Sequence, residues 1–121
     1  NITIAYTIYG VDPEIISRGM QNIKLVAIHE EYALHYNYPN PFNLVTTMLY
    51  HLPETGHTRL LIYDLLGREV HVLIDKVMNP GYYSTQWNGR NQQGQTVGAG
   101  VYFYQIQANG FLQTRKMLLL K

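Results

Sequence analysis

Turn-forming residues punctuate this sequence at intervals of roughly 8–14 positions, and the stretches between them alternate apolar with polar residues. That spacing excludes amphipathic helices of useful length and predicts an all-β chain, folded as a sandwich or barrel. Ile2, Ile4, Tyr6 and Ile8 share one face of a first strand, which Gly10-Val11-Asp12-Pro13 ends. Residues 23–28 read as a short second strand, and residues 29–36 as a helical turn or a connector. Tyr38-Pro39-Asn40-Pro41-Phe42-Asn43 follows; its two prolines forbid a helix and deny ladder donors, so it reads as a rigid extended turn. Further strands are expected at 46–52, with Met48, Tyr50 and Leu52 on one face, and at 58–63. The next are at 69–75, with Val70, Val72 and Ile74 aligned, then 82–87, 101–108 and 111–120. Asn109-Gly110 is the strongest hairpin signal, because a type I′ turn needs positive φ at both central residues. Gly67 is expected at positive φ in the tight 64–68 connection.

The chain is 121 residues long, which suits one domain with a short appendage. With 46% hydrophobic and only 14% charged residues it does not carry the signature of disorder. There is no Cys, which excludes disulfides, thiolate zinc sites and a Cys nucleophile. The formal charge of +1 gives no global pull toward nucleic acid or membrane. Charge is unevenly spread: residues 1–56 hold two Lys/Arg against five acids, residues 57–121 seven against three. The late cations are too sparse for a nucleic-acid surface, but they suit an acidic partner or an anionic glycolipid. The start of the chain lacks a basic n-region and an apolar h-region, so the sequence reads as a mature form, a fragment, or a protein exported another way.

No catalytic constellation can be assembled. His29, His35, His51, His57 and His71 never fall at a ligand spacing, and no nucleophile elbow or paired carboxylate is present. His29 and His35 flank two Glu residues; solvated side chains in a connector are favoured there over a metal site. Residues 88–94 space their oxygen side chains and glycines like a calcium loop. Calcium wants several carboxylates, whereas Asn88, Arg90 and Asn91 stand here, so a polar turn held by Asn side-chain bonds to backbone is favoured. The expectation is no enzyme, no metal and no cofactor. Eleven tyrosines are unusual. Tyr102 with Tyr104, and Tyr83 with Trp87, could line a carbohydrate platform, but such rings on strands more often form core.

From residue 37 onward, motifs fall in a familiar order. Asn37-Tyr38-Pro39-Asn40-Pro41-Phe42-Asn43 leads. Ile62-Tyr63-Asp64-Leu65-Leu66-Gly67-Arg68-Glu69-Val70, Trp87-Asn88-Gly89-Arg90 and Gly100-Val101-Tyr102-Phe103-Tyr104 follow, and Thr114-Arg115-Lys116-Met117-Leu118-Leu119-Leu120-Lys121 closes. The set resembles the type A C-terminal sorting domain of the type IX secretion system, and is similar to the Ig-like domain of flagellar hook-capping proteins. The resemblance implies an Ig-like antiparallel β-sandwich of about seven to nine strands. It divides the chain into extra N-terminal strands and connector at 1–36 and a sorting-type domain at 37–121. Two departures stand out: Leu44-Val45 interrupts the usual run after the box, and Asn replaces Asp in the family's Trp-Asp-Gly-Arg-Asp.

That resemblance implies a non-catalytic module that sorts and anchors an exported protein at the cell surface. The outer-membrane secretion machinery and an anionic surface glycolipid are its implied partners. Gly110, Thr114, Arg115, Lys116, Met117, Leu119 and Lys121 match the sorting signal. Beside this stands a second reading, a small extracellular subunit that forms a homo-oligomer or filament by strand addition. Its candidate intersubunit strand carries Ile2, Ile4, Tyr6 and Ile8. Leu118-Leu119-Leu120 makes the last strand apolar on both sides, a liability at a sheet edge unless covered. A receptor, or the extra N-terminal strand in cis or from a neighbour, would cover it.

Overall fold

Seven strands run through residues 31–121, the part of the chain that this computed structural model describes. They are β1 (Ala33–Leu34), β2 (Thr46–Leu52), β3 (Gly56–Asp64), β4 (Glu69–Met78), β5 (Gly81–Trp87), β6 (Gly100–Ala108) and β7 (Phe111–Leu119). The strands expected at 2–8 and 23–28 lie outside the described residues. No helix occurs among the described residues, and none there is long and apolar enough to cross a membrane.

The strands form two sheets, ordered β1-β2-β5 and β4-β3-β6-β7, with every named pairing antiparallel. The inner faces meet in one core. Met48, Tyr50 and Leu52 of β2 turn inward as their alternation predicts, against Leu60 and Ile62 of β3 and Tyr104 and Ile106 of β6. Trp87 closes β5 at the core, 5.8 Å from Phe42 and 5.2 Å from Tyr102 between ring centres. Each such fully buried large side chain contributes roughly 1.5–3 kcal/mol. The architecture is an all-β, Ig-like sandwich.

Three local outcomes differ from the sequence expectation. Residues 33–34 form a strand, pairing with His51 and Tyr50, in a segment that reads as a helical turn or connector. Alternation is broken in β4 by register shifts against β3, so Val70, Leu73 and Ile74 pack on the core while Val72 opposes Leu61. Trp87, Tyr102 and Tyr104 are buried, which removes them from any carbohydrate platform. Tyr83 is half-buried, stacks on Tyr50 at 5.7 Å, and donates its hydroxyl to Asn79 O.

The hairpin joining β6 to β7 has Asn109 at φ 47° and Gly110 at φ 84°, the positive pair that the dipeptide predicts. Gly67 sits at φ 83° in the β3–β4 turn. There Asp64 Oδ1 accepts from the N–H groups of Leu66 and Arg68, which ties the turn into a closed knot.

Candidate functional site

The last strand lies at the edge of the four-stranded sheet, and its residues divide by parity. Met117 and Leu119 point into the core and are 1% exposed. Arg115 lies on the same face at the rim. Its Nε donates to Leu34 O at 2.6 Å, and its guanidinium sits 4.1 Å from the centre of the Tyr36 ring. Thr114 and Lys116 point the other way and are exposed; Thr114 Oγ1 accepts from Gln105 Nε2 at 2.8 Å. Gly110 forms the hairpin turn and Lys121 is exposed beyond the strand. The seven signal-matching residues therefore do two jobs in the fold. Arg115, Met117 and Leu119 hold the strand down. Gly110, Thr114, Lys116 and Lys121 face solvent.

The proline-rich box packs beside the end of this strand. Phe42, 1% exposed, forms a parallel bridge with Leu119. Its N–H donates to Leu118 O at 3.0 Å, and Leu120 N–H donates to Phe42 O at 2.8 Å. Asn40 Oδ1 accepts from Leu118 N–H at 3.0 Å. The outward backbone polar groups of β7 around Leu118 are thus satisfied by the box, while Leu120 stays 45% exposed. Leu118 spends both backbone groups on the box side, so the outward positions of β7 are the even ones. Among the described residues, nothing outside the strands bonds the outward backbone at Leu112, Thr114 or Lys116.

The box is itself fastened to β2. Asn37 Nδ2 donates to Thr46 Oγ1 at 2.9 Å, and Thr46 Oγ1 donates to Pro39 O at 2.8 Å. The Tyr38-Pro39 and Asn40-Pro41 bonds are both cis. Tyr104 reaches across the sandwich and donates its hydroxyl to His35 O at 2.7 Å; burial pushes its pKa up.

Where the box, the chain end and the 88–97 loop meet, a cleft of about 210 Å³ opens. Asn43, Leu44, Asn88, Arg90, Leu119 and Lys121 are among its lining residues. Among its described lining residues, Arg90 and Lys121 contribute two cationic side chains and none contributes an acidic one, which suits an anionic group. The loop is shaped by its own side chains. Asn91 Oδ1 accepts from Gln93 and Gln95 N–H, Arg90 donates to Gly94 O, and Trp87 Nε1 donates to Arg90 O. This is the polar turn held by Asn-to-backbone bonds that the composition of the loop predicts. Among the described residues, no group of three or more His, Asp or Glu could hold a metal. His29 lies outside them, as do Ile2, Ile4, Tyr6 and Ile8 of the candidate intersubunit strand.

Sequence reasoning missed two participants, Asn40 and Arg90. Asn40 reads only as a turn residue, and its bond spans 78 positions. Arg90 belongs to a loop weighed for cation binding, so its own charge stands out only once Lys121 joins the same cleft.

The family model of the FlgD Ig-like domain matches residues 46–110. That span runs from the start of β2 to the β6–β7 turn and stops before β7. No curated protein matches the chain. Among solved structures, dimeric latent PorU from Porphyromonas gingivalis aligns with a TM-score of 0.60 and 20% identity, over 78% of this chain and 10% of that one. PorZ from the same organism is described as an essential bacterial surface component of the type IX secretion system. It aligns with a TM-score of 0.51 and 20% identity, over 71% of this chain and 11% of that one. FlgD from P. aeruginosa gives 0.49 and 19%, over 66% and 70%. The chain thus spans about a tenth of the length of PorU and PorZ, and these likenesses are likenesses of fold.

Proposed function

The chain belongs to the FlgD Ig-like domain family, and from that premise we propose that its sandwich is a non-catalytic sorting and anchoring domain of an exported protein. One observation carries the reading: β7 is an edge strand whose signal-matching residues split into an inward set that seats the strand and an outward set that a receptor can read. Thr114 and Lys116 stand on an edge whose outward backbone groups no described residue outside the strands bonds, the geometry used in recognition by strand addition. The cleft that holds Arg90 and Lys121 supplies a place for the phosphate or carboxylate of an anionic surface glycolipid. The fold shared with PorZ, a surface component of a type IX secretion system, agrees with export across the outer membrane and with that machinery as partner.

The test is a fusion of residues 32–121 to a periplasmic reporter in a host with a working type IX system. The start at Tyr32 keeps β1. Surface display that is lost with Lys116→Glu and Lys121→Glu together is the expected outcome. A folded reporter that stays in the periplasm while a control cargo reaches the surface overturns the reading.

The stretch of the β7 edge that no described residue outside the strands bonds also favours the second reading, a subunit that polymerises by receiving a neighbour's residues 2–8. Deletion of residues 1–10 would then convert assemblies to monomers in sedimentation; a full-length protein that sediments as a monomer rules this out.

A further inference from the structure

The two sheets differ sharply in charge. β1, β2 and β5 carry no Asp, Glu, Lys or Arg between them, whereas the four-stranded sheet holds Arg59, Asp64, Glu69, Asp75, Lys76, Arg115 and Lys116. Because Met48, Tyr50 and Leu52 turn into the core, Thr47, Leu49 and His51 turn outward. Across the ladder, Gln86 opposes Thr47, Ser84 opposes Leu49, and Tyr82 opposes His51. The outer face of this sheet is therefore built of rings, hydroxyls, an amide and the aliphatic side chains of Leu49 and Ala33.

That face is concave. A trough of about 250 Å³ crosses it, with His35 on the β1 side, Leu49 at its centre, and Tyr82 and Ser84 on the β5 side. The volume lies just below the roughly 300–1,000 Å³ of sites for drug-sized ligands, so it suits a smaller unit. Tyr82 is 75% exposed, yet its ring is backed: it stacks on His51 at 4.1 Å between centres and 21° between planes. A ring that is held flat from behind and open in front loses little rotamer freedom when something stacks on it. Leu49, 49% exposed, extends the apolar floor.

We propose that this trough binds a neutral saccharide, one sugar ring lying on Tyr82 and Leu49 with its hydroxyls toward Ser84 and His35. The C–H face of a pyranose is apolar and weakly positive, and it meets the negative π face of tyrosine. The hydroxyls at the ring's edge need donors and acceptors, which Ser84 and His35 provide. Charge decides among ligands. A nucleic acid or an acidic glycan needs cations, and these three strands have none. The site is separate from the sorting residues, and its failure would leave the sorting reading intact.

The experiment is affinity electrophoresis of the full chain in gels containing mannan, laminarin, dextran or xylan, with heparin as the acidic control. Retardation by at least one neutral polysaccharide and not by heparin is expected. Tyr82→Ala should weaken that retardation at least tenfold, Tyr82→Phe should preserve most of it, and Val77→Ala, on the opposite sheet, should leave it unchanged. Circular dichroism of Tyr82→Ala checks that the variant is folded. Passage unretarded through all four neutral gels overturns the proposal. So does retardation by heparin alone, or neutral binding that a folded Tyr82→Ala retains.

Discussion

Asn91 fixes the shape of the longest loop through one oxygen. Its Oδ1 takes the N–H groups of Gln93 and Gln95, and its amide nitrogen donates to Gln95 Oε1 at 3.1 Å. The loop so shaped places Gln92 against the edge of β4, where its N–H donates to Val70 O and its Oε1 accepts from Val72 N–H. Asn91→Ala should cost about 1–2 kcal/mol in urea unfolding, because two exposed backbone donors lose their acceptor together. Asn91→Asp keeps that acceptor and should cost little; equal losses from the two variants would contradict this account. Asp64 allows a second prediction. The N–H of Arg68, opposed by desolvation and aided by the Arg68 guanidinium, holds its carboxyl below the ordinary value of 3.8. A depressed folded pKa contributes stability that is fully present above the unfolded value and is lost as pH falls through the folded one. The melting-temperature gap between wild type and Asp64→Ala should therefore be constant at neutral pH and close below about pH 4. A gap that persists unchanged in acid would show that the turn does not depend on the charge. Residues like these are legible in the sequence when their chemistry is local. Asn109-Gly110 announces its turn because few side chains tolerate φ near the 47° observed at Asn109. Gln92 announces nothing, since its partners lie 20 and 22 positions away.

At the scale of the element, β7 is an edge strand whose outward backbone is bonded by the box at its C-terminal end and by no described residue outside the strands at Leu112, Thr114 and Lys116. Leu118 faces the box with both its N–H and its C=O, so Leu118 and Val101 form a non-hydrogen-bonded pair in the ladder. The amides of Gln113, Arg115, Met117 and Leu119 then point to β6, and those of Leu112, Thr114 and Lys116 point outward. Hydrogen exchange should follow that parity: slow at 113, 115, 117 and 119, slow at 118 and 120 under the box, and fast at 112, 114 and 116. Slow exchange at 114 and 116 in dilute protein would mean that another strand already occupies the edge. Asn40→Ala should speed exchange at Leu118 while leaving Lys116 unchanged. The six longer strands of the described region are readable from alternation and turn residues. β1 and the irregularities of β4 are not. Ala33-Leu34 is too short for a period, and what extends it is tertiary, since Tyr104 and Arg115 bond the carbonyls of His35 and Leu34. In β4 the apolar run Val70, Val72, Leu73, Ile74 suits more than one register, and the demand of the core chooses a register with two shifts.

At the scale of the whole sandwich, what matters is how its two sheets are tied along their sides. On one side the 88–97 loop leaves β5 and bonds to β4, with His71 Nδ1 and Arg90 O 2.8 Å apart as a further link. On the other side the short β1 segment belongs to the three-stranded sheet but is tied to β6 by Tyr104 and to β7 by Arg115. Leu34 adds a side chain only 1% exposed to the shared core. The segment that looks least like structure in the sequence thus closes one side of the fold, and it also fixes Arg115, a residue of the sorting match. A chain that begins at residue 37 loses the burial of Leu34, worth roughly 1.5–3 kcal/mol, and leaves Tyr104 and Arg115 without their carbonyl partners at about 1 kcal/mol each. It should be about 3–5 kcal/mol less stable than a chain that begins at Tyr32, a large part of the roughly 5–15 kcal/mol that a domain commands. Urea unfolding of residues 32–121 and 37–121, followed by Trp87 fluorescence, measures the difference. The shorter chain should also lose protection at Arg115 and Met117 first, because β7 is the strand that β1 holds. Equal midpoints would show that β1 only rests on the sandwich, and β7 would then owe its position to the box and the core alone.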